Sequence, residues 1–141
     1  MTAFADSSAL VKLYANEAHA SEVRKRDLFV VASVARVEVP AALWRKVRMG
    51  ELAEGDAAVL TRVFETDWND VGGLFVIVAL VPRVLEDAAR LVATHGLRAY
   101  DGVQLASALA ARASDPQIDE FATYDKGLLA AAAAEGFAAA A

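Results

Sequence analysis

Four carboxylates stand out by their surroundings. Asp6 closes the short apolar run of "TAFAD", and Asp125 follows the run of "EFATY". Asp101 opens the segment "DGVQLASAL", and Glu38 lies among Val34, Val37, Val39, Ala41 and Ala42. Taken singly, Asp6, Asp101 and Asp125 stand where a helix N-cap or first turn is expected, and aspartate is favoured there. Glu38 resists that account. A carboxylate among apolar neighbours is costly unless paired or coordinated, and its structural reading is an ion pair with Arg36 or Arg45. Taken together, four convergent carboxylates repel one another and persist only with protons or cations. Hard oxygen ligands, with no cysteine and only two histidines in the chain, suit Mg²⁺ or Mn²⁺. Such a cation activates water and stabilises charge at a phosphorus centre. The net charge of −5 reflects 19 acidic and 14 basic residues, and without these four acids the count is 15 against 14. Most of the acidity therefore belongs to the candidate cluster.

Other chemistries have less support. A Ser–His–Asp triad would need His19 or His95. His95 sits at a helix end beside Gly96, suited to a cationic cap, and His19 falls at a helix junction. There is no Walker loop and no GxGxxG. Ser7 and Ser8 read as helix-start residues, although Ser8 could also position Asp6 or bond a phosphate. Thr123 is either an ordinary strand threonine or a hydroxyl supporting the acids.

These residues need a scaffold, and the chain reads as one alternating unit over residues 1–141. Strands are expected in "TAFAD", "LFVVA", "GLFVIVAL" and "EFATY", with "FAAAA" a weak edge strand or a frayed tail. Helices are expected in "SALVKLYANE" and "ASEVRKRD", and in "VARVEVPAALWRKVRMG", where Pro40 marks a start or a kink. Four more follow: "LAEGDAAVLTRVFETDW", "PRVLEDAARLVATHG", "AYDGVQLASALAARA" and "DKGLLAAAAAEG". Such alternation implies a parallel sheet covered on both faces, with ligands bound beyond the carboxyl ends of the strands. Asp6 and Asp125 both fall at that edge. Asp119 precedes its strand and is the weaker candidate. At 57% hydrophobic, the chain has ample material for a core, and no run reaches the roughly 18 apolar residues of a membrane span. The first residues lack a basic segment and carry Asp6 early, unlike a secretory signal. The absence of cysteine fits a reducing cytoplasm.

The segments "FADSSALVKLY", "ARVEVPAAL", "LRAYDGVQLASAL" and "FATYDKGLLAAAAAEGF" resemble, in order, the four acidic motifs of PIN-domain proteins, and more narrowly those of VapC-type toxins from toxin–antitoxin pairs. The resemblance implies a three-layer α/β/α domain with a central parallel sheet of four to five strands. It implies a Mg²⁺- or Mn²⁺-dependent endoribonuclease that leaves 5′-phosphate and 3′-hydroxyl ends. By motif, Asp6 and Asp101 would be the principal metal ligands, Glu38 and Asp125 would complete the site, and Ser8 and Thr123 would support it. It further implies a homodimer and a VapB-like antitoxin whose basic side chain reaches the acids. One departure is Gly102, where alanine is more usual and where glycine is expected to loosen the helix start.

The basic clusters Arg24–Arg26 and Arg45–Arg48 read either as solvated helix faces or as phosphate contacts beside the acids. Trp44 and Trp68 read as interface residues. The rival to the nuclease is a catalytically silent α/β module that only binds a partner. A metal-dependent phosphatase or DNA nuclease is a third reading.

Overall fold

In the computed structural model, which describes residues 2–140, the expected alternation is present. The strands are β1 (Ala3–Ala5), β2 (Phe29–Ala32), β3 (Phe75–Val78), β4 (Glu120–Ala122) and β5 (Ala138–Ala139). The helices are α1 (Ser7–Leu10), α2 (Ala20–Val23), α3 (Ala35–Arg48), α4 (Glu54–Asn69), α5 (Pro82–His95), α6 (Ala99–Ser114) and α7 (Lys126–Ala134). All strand pairs are parallel, in the order β3-β2-β1-β4-β5. Strand β1 pairs Phe4 with Val30 on one side and with Phe121 on the other. The chain steps outward from β1 through β2 to β3, then returns to lay β4 on the opposite flank. The order therefore reverses between β1 and β4, and that reversal opens the crevice in which doubly wound sheets hold ligands.

The alternation of side chains builds two cores. Phe4, Val30, Ala32 and Phe121 face Leu91, Leu105 and Leu128 of α5, α6 and α7. Ala5, Phe29, Val31 and Phe75 face Leu10, Val39, Leu43 and Phe64 of α1, α3 and α4. This is a three-layer α/β/α arrangement, with the central strands β1 and β2 buried on both faces as in all-parallel sheets and the edge strands β3 and β5 partly exposed. Trp68 packs on Phe64 and Phe75, with ring centroids 5.6 and 6.0 Å away. It is thus committed to the second core, while Trp44 is half-buried.

Several boundaries differ from expectation for physical reasons. The first helix is one turn, Ser7–Leu10, continued by a 3₁₀ turn at Val11–Leu13. Helix α2 keeps only Ala20–Val23, and the basic residues after it fold back onto the chain. Arg24 donates to the Ala15 carbonyl at 3.3 Å, and Arg26 pairs with Glu120 at 3.1 Å. Helix α3 starts five residues before Pro40. A proline in that position removes one donor, the bond that would run to the Arg36 carbonyl, and the helix continues through it. The early start puts Glu38 in the first turn, where a negative charge suits the helix dipole. Helix α5 keeps the expected asymmetry, with Pro82 at its start and Gly96 in the left-handed region (φ 66°) at its end. The polyalanine tail forms β5, a two-residue edge strand paired to Glu120 and Phe121.

Gly102 serves packing. A Cβ there would stand 3.1 Å from the Ala88 carbonyl oxygen and overlap the Val92 side chain. The missing side chain lets α6 approach α5 closely. Glycine at this position tightens the α5–α6 contact, contrary to the looser helix start expected from sequence.

Candidate active site

Asp6 is buried, with 5% of its surface exposed, at the carboxyl end of β1. Its Oδ1 accepts from the Ser8 hydroxyl at 2.7 Å and from the Ala9 N–H at 3.1 Å. Its Oδ2 accepts from the buried Thr123 hydroxyl at 2.7 Å. The Ser8 oxygen in turn accepts from the Tyr124 N–H at 2.9 Å, and the Thr123 oxygen from the Asp125 N–H at 3.1 Å. Asp6, Ser8, Thr123 and the backbone leading into Asp125 thus form one network across the switch point. Asp6 caps α1 through the Ala9 bond, so the structural and the chemical readings of this residue hold together. Burial pushes its carboxyl up to about 6, against the Ser8, Thr123 and Ala9 donors that favour its charged form, and the charge of Glu38 adds to the rise.

Glu38 has a different set of partners. Its Oε1 accepts from Ser7 Oγ at 2.9 Å and from Gln104 Nε2 at 2.7 Å. Neither Arg36 nor Arg45 pairs with it; Arg36 instead meets Glu65 at 3.2 Å. Burial raises the Glu38 carboxyl above its ordinary value, Gln104 and Ser7 oppose this, and the charge of Asp101 adds to it. Asp6, Glu38 and Asp101 therefore feel one another as a chain of like charges. Gln104 was not foreseen. It lies three residues after Asp101 on one face of α6, and its Oε1 is buried with no hydrogen-bond partner in the structure. The signal was an amide in the otherwise apolar stretch "GVQLASALA". Ser7 gave no signal beyond its place at a helix start.

Asp101 and Asp125 sit nearer the rim. Asp101 is in the first turn of α6, three residues after the N-cap position, and makes no capping bond. Asp125 caps α7, accepting from the Leu128 N–H at 2.9 Å. Arg98 bridges the two, with Nε 3.4 Å from Asp101 Oδ2 and Nη2 3.3 Å from Asp125 Oδ2. Asp119 lies at the amino end of β4, exposed and remote from this edge. His95 meets Glu135 at 2.8 Å, and His19 stacks on Tyr124 with centroids 5.1 Å apart; among the described residues neither histidine joins a Ser–His–Asp triad.

The chemistry of the donor set fits a hard dication: carboxylates, an unpartnered amide oxygen and hydroxyls, with mutual repulsion to relieve. The side chains are linked in pairs. Among the described residues, no three Asp, Glu or His side chains stand together closely enough to hold a metal ion as they lie. A groove of about 640 Å³ runs from Ser7, Ser8 and Glu38 toward Arg45, Lys46 and Arg48.

The five-stranded parallel sheet between two helical layers defines a three-layer α/β/α domain, with Asp6 and Asp125 at the carboxyl edge of the sheet. Comparison with known proteins agrees. The PIN domain family model matches residues 3–134. The chain is 35% identical to Ribonuclease VapC45 of Mycobacterium tuberculosis (strain CDC 1551 / Oshkosh) over 135 residues, 93% of this chain and 89% of that protein. Ribonuclease VapC49 of Mycobacterium tuberculosis (strain ATCC 25618 / H37Rv) matches to the same extent. This chain belongs to the PIN-domain family, and its relatives place it beside proteins of the VapC type. Among solved structures it is similar to PAE2754 from Pyrobaculum aerophilum, with a TM-score of 0.64 and 25% identity over 99% of this chain and 90% of that one. FitAcB from Neisseria gonorrhoeae, at TM-score 0.58 and 17% identity over 99% and 96%, shares the fold.

Proposed function

We propose that this chain is a Mg²⁺- or Mn²⁺-dependent endoribonuclease, the toxin of a toxin–antitoxin pair. Asp6, Glu38, Asp101 and Asp125 are its acidic site. The observation that carries this reading is the placement of Glu38 where it feels the charge of Asp101 and is felt by Asp6, with Asp6 and Glu38 both raised chiefly by burial. Like charges held near one another raise each other's proton affinity, and a bound cation would relieve that repulsion. Relatives named ribonucleases at 35% identity over 93% of the chain support the RNA reading.

The bound dication would supply electrophilic stabilisation of the phosphorus centre and an activated water. The chain supplies the rest. Ser8, Thr123 and the Ala9 N–H fix the Asp6 carboxylate while leaving it spare lone pairs, since each of its oxygens can accept more than one bond. Ser7 and Gln104 hold Glu38 by Oε1 and leave its second oxygen unengaged by either residue. The basic end of the groove offers Arg45, Lys46 and Arg48 to the phosphates that flank the cut. The same groove suits an antitoxin segment carrying a basic side chain to the acids. A second copy of the chain belongs to the same reading, and the outer edge of β3, with Val76 and Ile77 exposed, offers it an apolar face.

The rival, a silent partner-binding module, draws on the capping roles of Asp6 and Asp125. It extends to Glu38 and Asp101 as first-turn acids, and it requires that they be dispensable for any cleavage of RNA. The separating experiment incubates the purified chain with total RNA and Mg²⁺ or Mn²⁺, with and without chelator, beside single-stranded DNA. Discrete RNA fragments that vanish with chelator are expected. Intact RNA in every lane contradicts the proposal, and cutting of DNA alone favours the DNA nuclease.

A further inference from the structure

Arg98 is a cation already present among the acids. It occupies the N-cap position of α6 and makes no side-chain capping bond there. Its guanidinium instead spans Asp101 on its own helix and Asp125 at the start of α7, 3.4 and 3.3 Å away. The Arg98 side chain is 82% exposed, whereas Asp101 and Asp125 are 21% and 33% exposed. Both contacts are long beside the roughly 2.7–2.9 Å of a strong charge-assisted bond. Exposed pairs of this kind contribute little to stability. Arg98 is therefore loosely held, by the two carboxylates that the proposed cation site requires.

Three consequences would follow from that position if a dication bound these acids. A dication and this guanidinium compete for the same oxygens. The dication, with twice the charge, repels the guanidinium once it is bound. The displaced side chain, 82% exposed, would then be open to an anionic phosphodiester, since a guanidinium binds phosphate through paired N–H donors. Resting on the nuclease reading above, we propose that Arg98 is a substrate-binding residue that changes partners. It neutralises Asp101 and Asp125 when no cation is bound, and it passes to a phosphate of the RNA when a cation takes those acids.

The test separates the two states. Mn²⁺ binding to the purified chain is followed by the electron paramagnetic resonance signal of free Mn²⁺, without RNA, for wild type, Arg98→Ala and Arg98→Lys. Circular dichroism melts confirm that each is folded. Arg98→Ala is expected to bind Mn²⁺ roughly three- to tenfold more tightly, as removal of one or two exposed pairs predicts, and Arg98→Lys to fall between. At saturating Mn²⁺, Arg98→Ala is expected to raise KM for an RNA oligonucleotide more than it lowers kcat, with Lys restoring part of the loss. Unchanged or weaker Mn²⁺ binding by Arg98→Ala overturns the exchange, and so does tighter binding with an unchanged KM. A wild-type chain that binds no Mn²⁺ sinks the nuclease reading together with this one. A wild type that binds Mn²⁺ and cuts RNA, with Arg98→Ala matching it in both, overturns the role of Arg98 alone.

Discussion

The Thr123 hydroxyl donates to Asp6 Oδ2 at 2.7 Å, joining residues 117 positions apart at the ends of adjacent strands. Because β1 and β4 are neighbours at the switch point, this bond fixes the acid in the crevice. Removing the donor should matter for both stability and activity. Thr123→Val leaves a buried carboxylate oxygen without its donor and is expected to cost about 1–3 kcal/mol. Thr123→Ser keeps the hydroxyl and should stay near wild type. Urea denaturation of the three proteins checks this, and equal midpoints for Val and Ser would show that the bond carries no weight.

Asp6 should make the chain less stable as pH rises through 6. Burial raises its carboxyl from 3.8 in the unfolded chain to about 6. The folded state thus binds the proton more tightly, and the stability this gives is full below pH 4 and lost as pH climbs past 6. A shift of about two units corresponds to about 3 kcal/mol. Glu38, also raised mainly by burial, acts in the same direction. Between pH 5 and 7.5, without divalent cation, wild type is expected to lose stability relative to Asp6→Asn. Added Mn²⁺ should restore it at pH 7.5 and do less at pH 5. Parallel pH profiles for the two proteins would refute the raised carboxyl.

Gly102→Ala should destabilise despite alanine's better helix propensity. The new Cβ would meet the Ala88 carbonyl oxygen and the Val92 side chain. Overpacking of this kind costs about 1–3 kcal/mol, against about 1 kcal/mol gained from propensity. A lower thermal midpoint is expected. A higher one would mean that α5 can move away.

Gln104→Leu separates support of the site from stability of the fold. The amide leaves its Oε1 unpartnered while Nε2 holds Glu38. Leucine removes the orphaned oxygen and the Glu38 donor together, so the melting temperature should change little. Cleavage should fall about ten- to a hundredfold, as for other residues that orient ligands. Unaltered cleavage would show that Gln104 does not orient Glu38.

The sheet and the acids were legible in the sequence because they rest on local signals. Apolar runs ending in Asp6 and Asp125 marked β1 and β4, and both aspartates are caps as their positions suggested. The hydroxyls that hold Asp6, those of Ser8 and Thr123, were legible as well; the partners of Glu38, Asp101 and Asp125 were not. Ser7, Gln104 and Arg98 matter through contacts spanning 31, 66 and 27 positions, which no local pattern encodes. Helix α3 was misjudged at its start because Pro40 breaks only one bond in a helix that packing through Val39 and Leu43 sustains. The short α1 and α2 show the opposite case, where helical propensity yields to side chains and carbonyls drawn into neighbouring elements. Arg24 and Arg26 are structural ties, so the basic end of the groove comes from α3 alone among the two clusters.

The central claim is that these acids form a metal-dependent RNA-cleaving site, and Asp101 tests it most cleanly because it makes no capping bond. The measurement is the cleavage rate of a defined RNA at saturating Mn²⁺ for wild type and Asp101→Asn, with melting temperatures recorded beside the rates. The account predicts an Asn variant that melts with wild type and cuts more slowly by more than the roughly hundredfold upper range of an outer-shell change, with chelator silencing wild type. A variant that cuts as fast as wild type, or wild-type cutting that survives chelator, would contradict it.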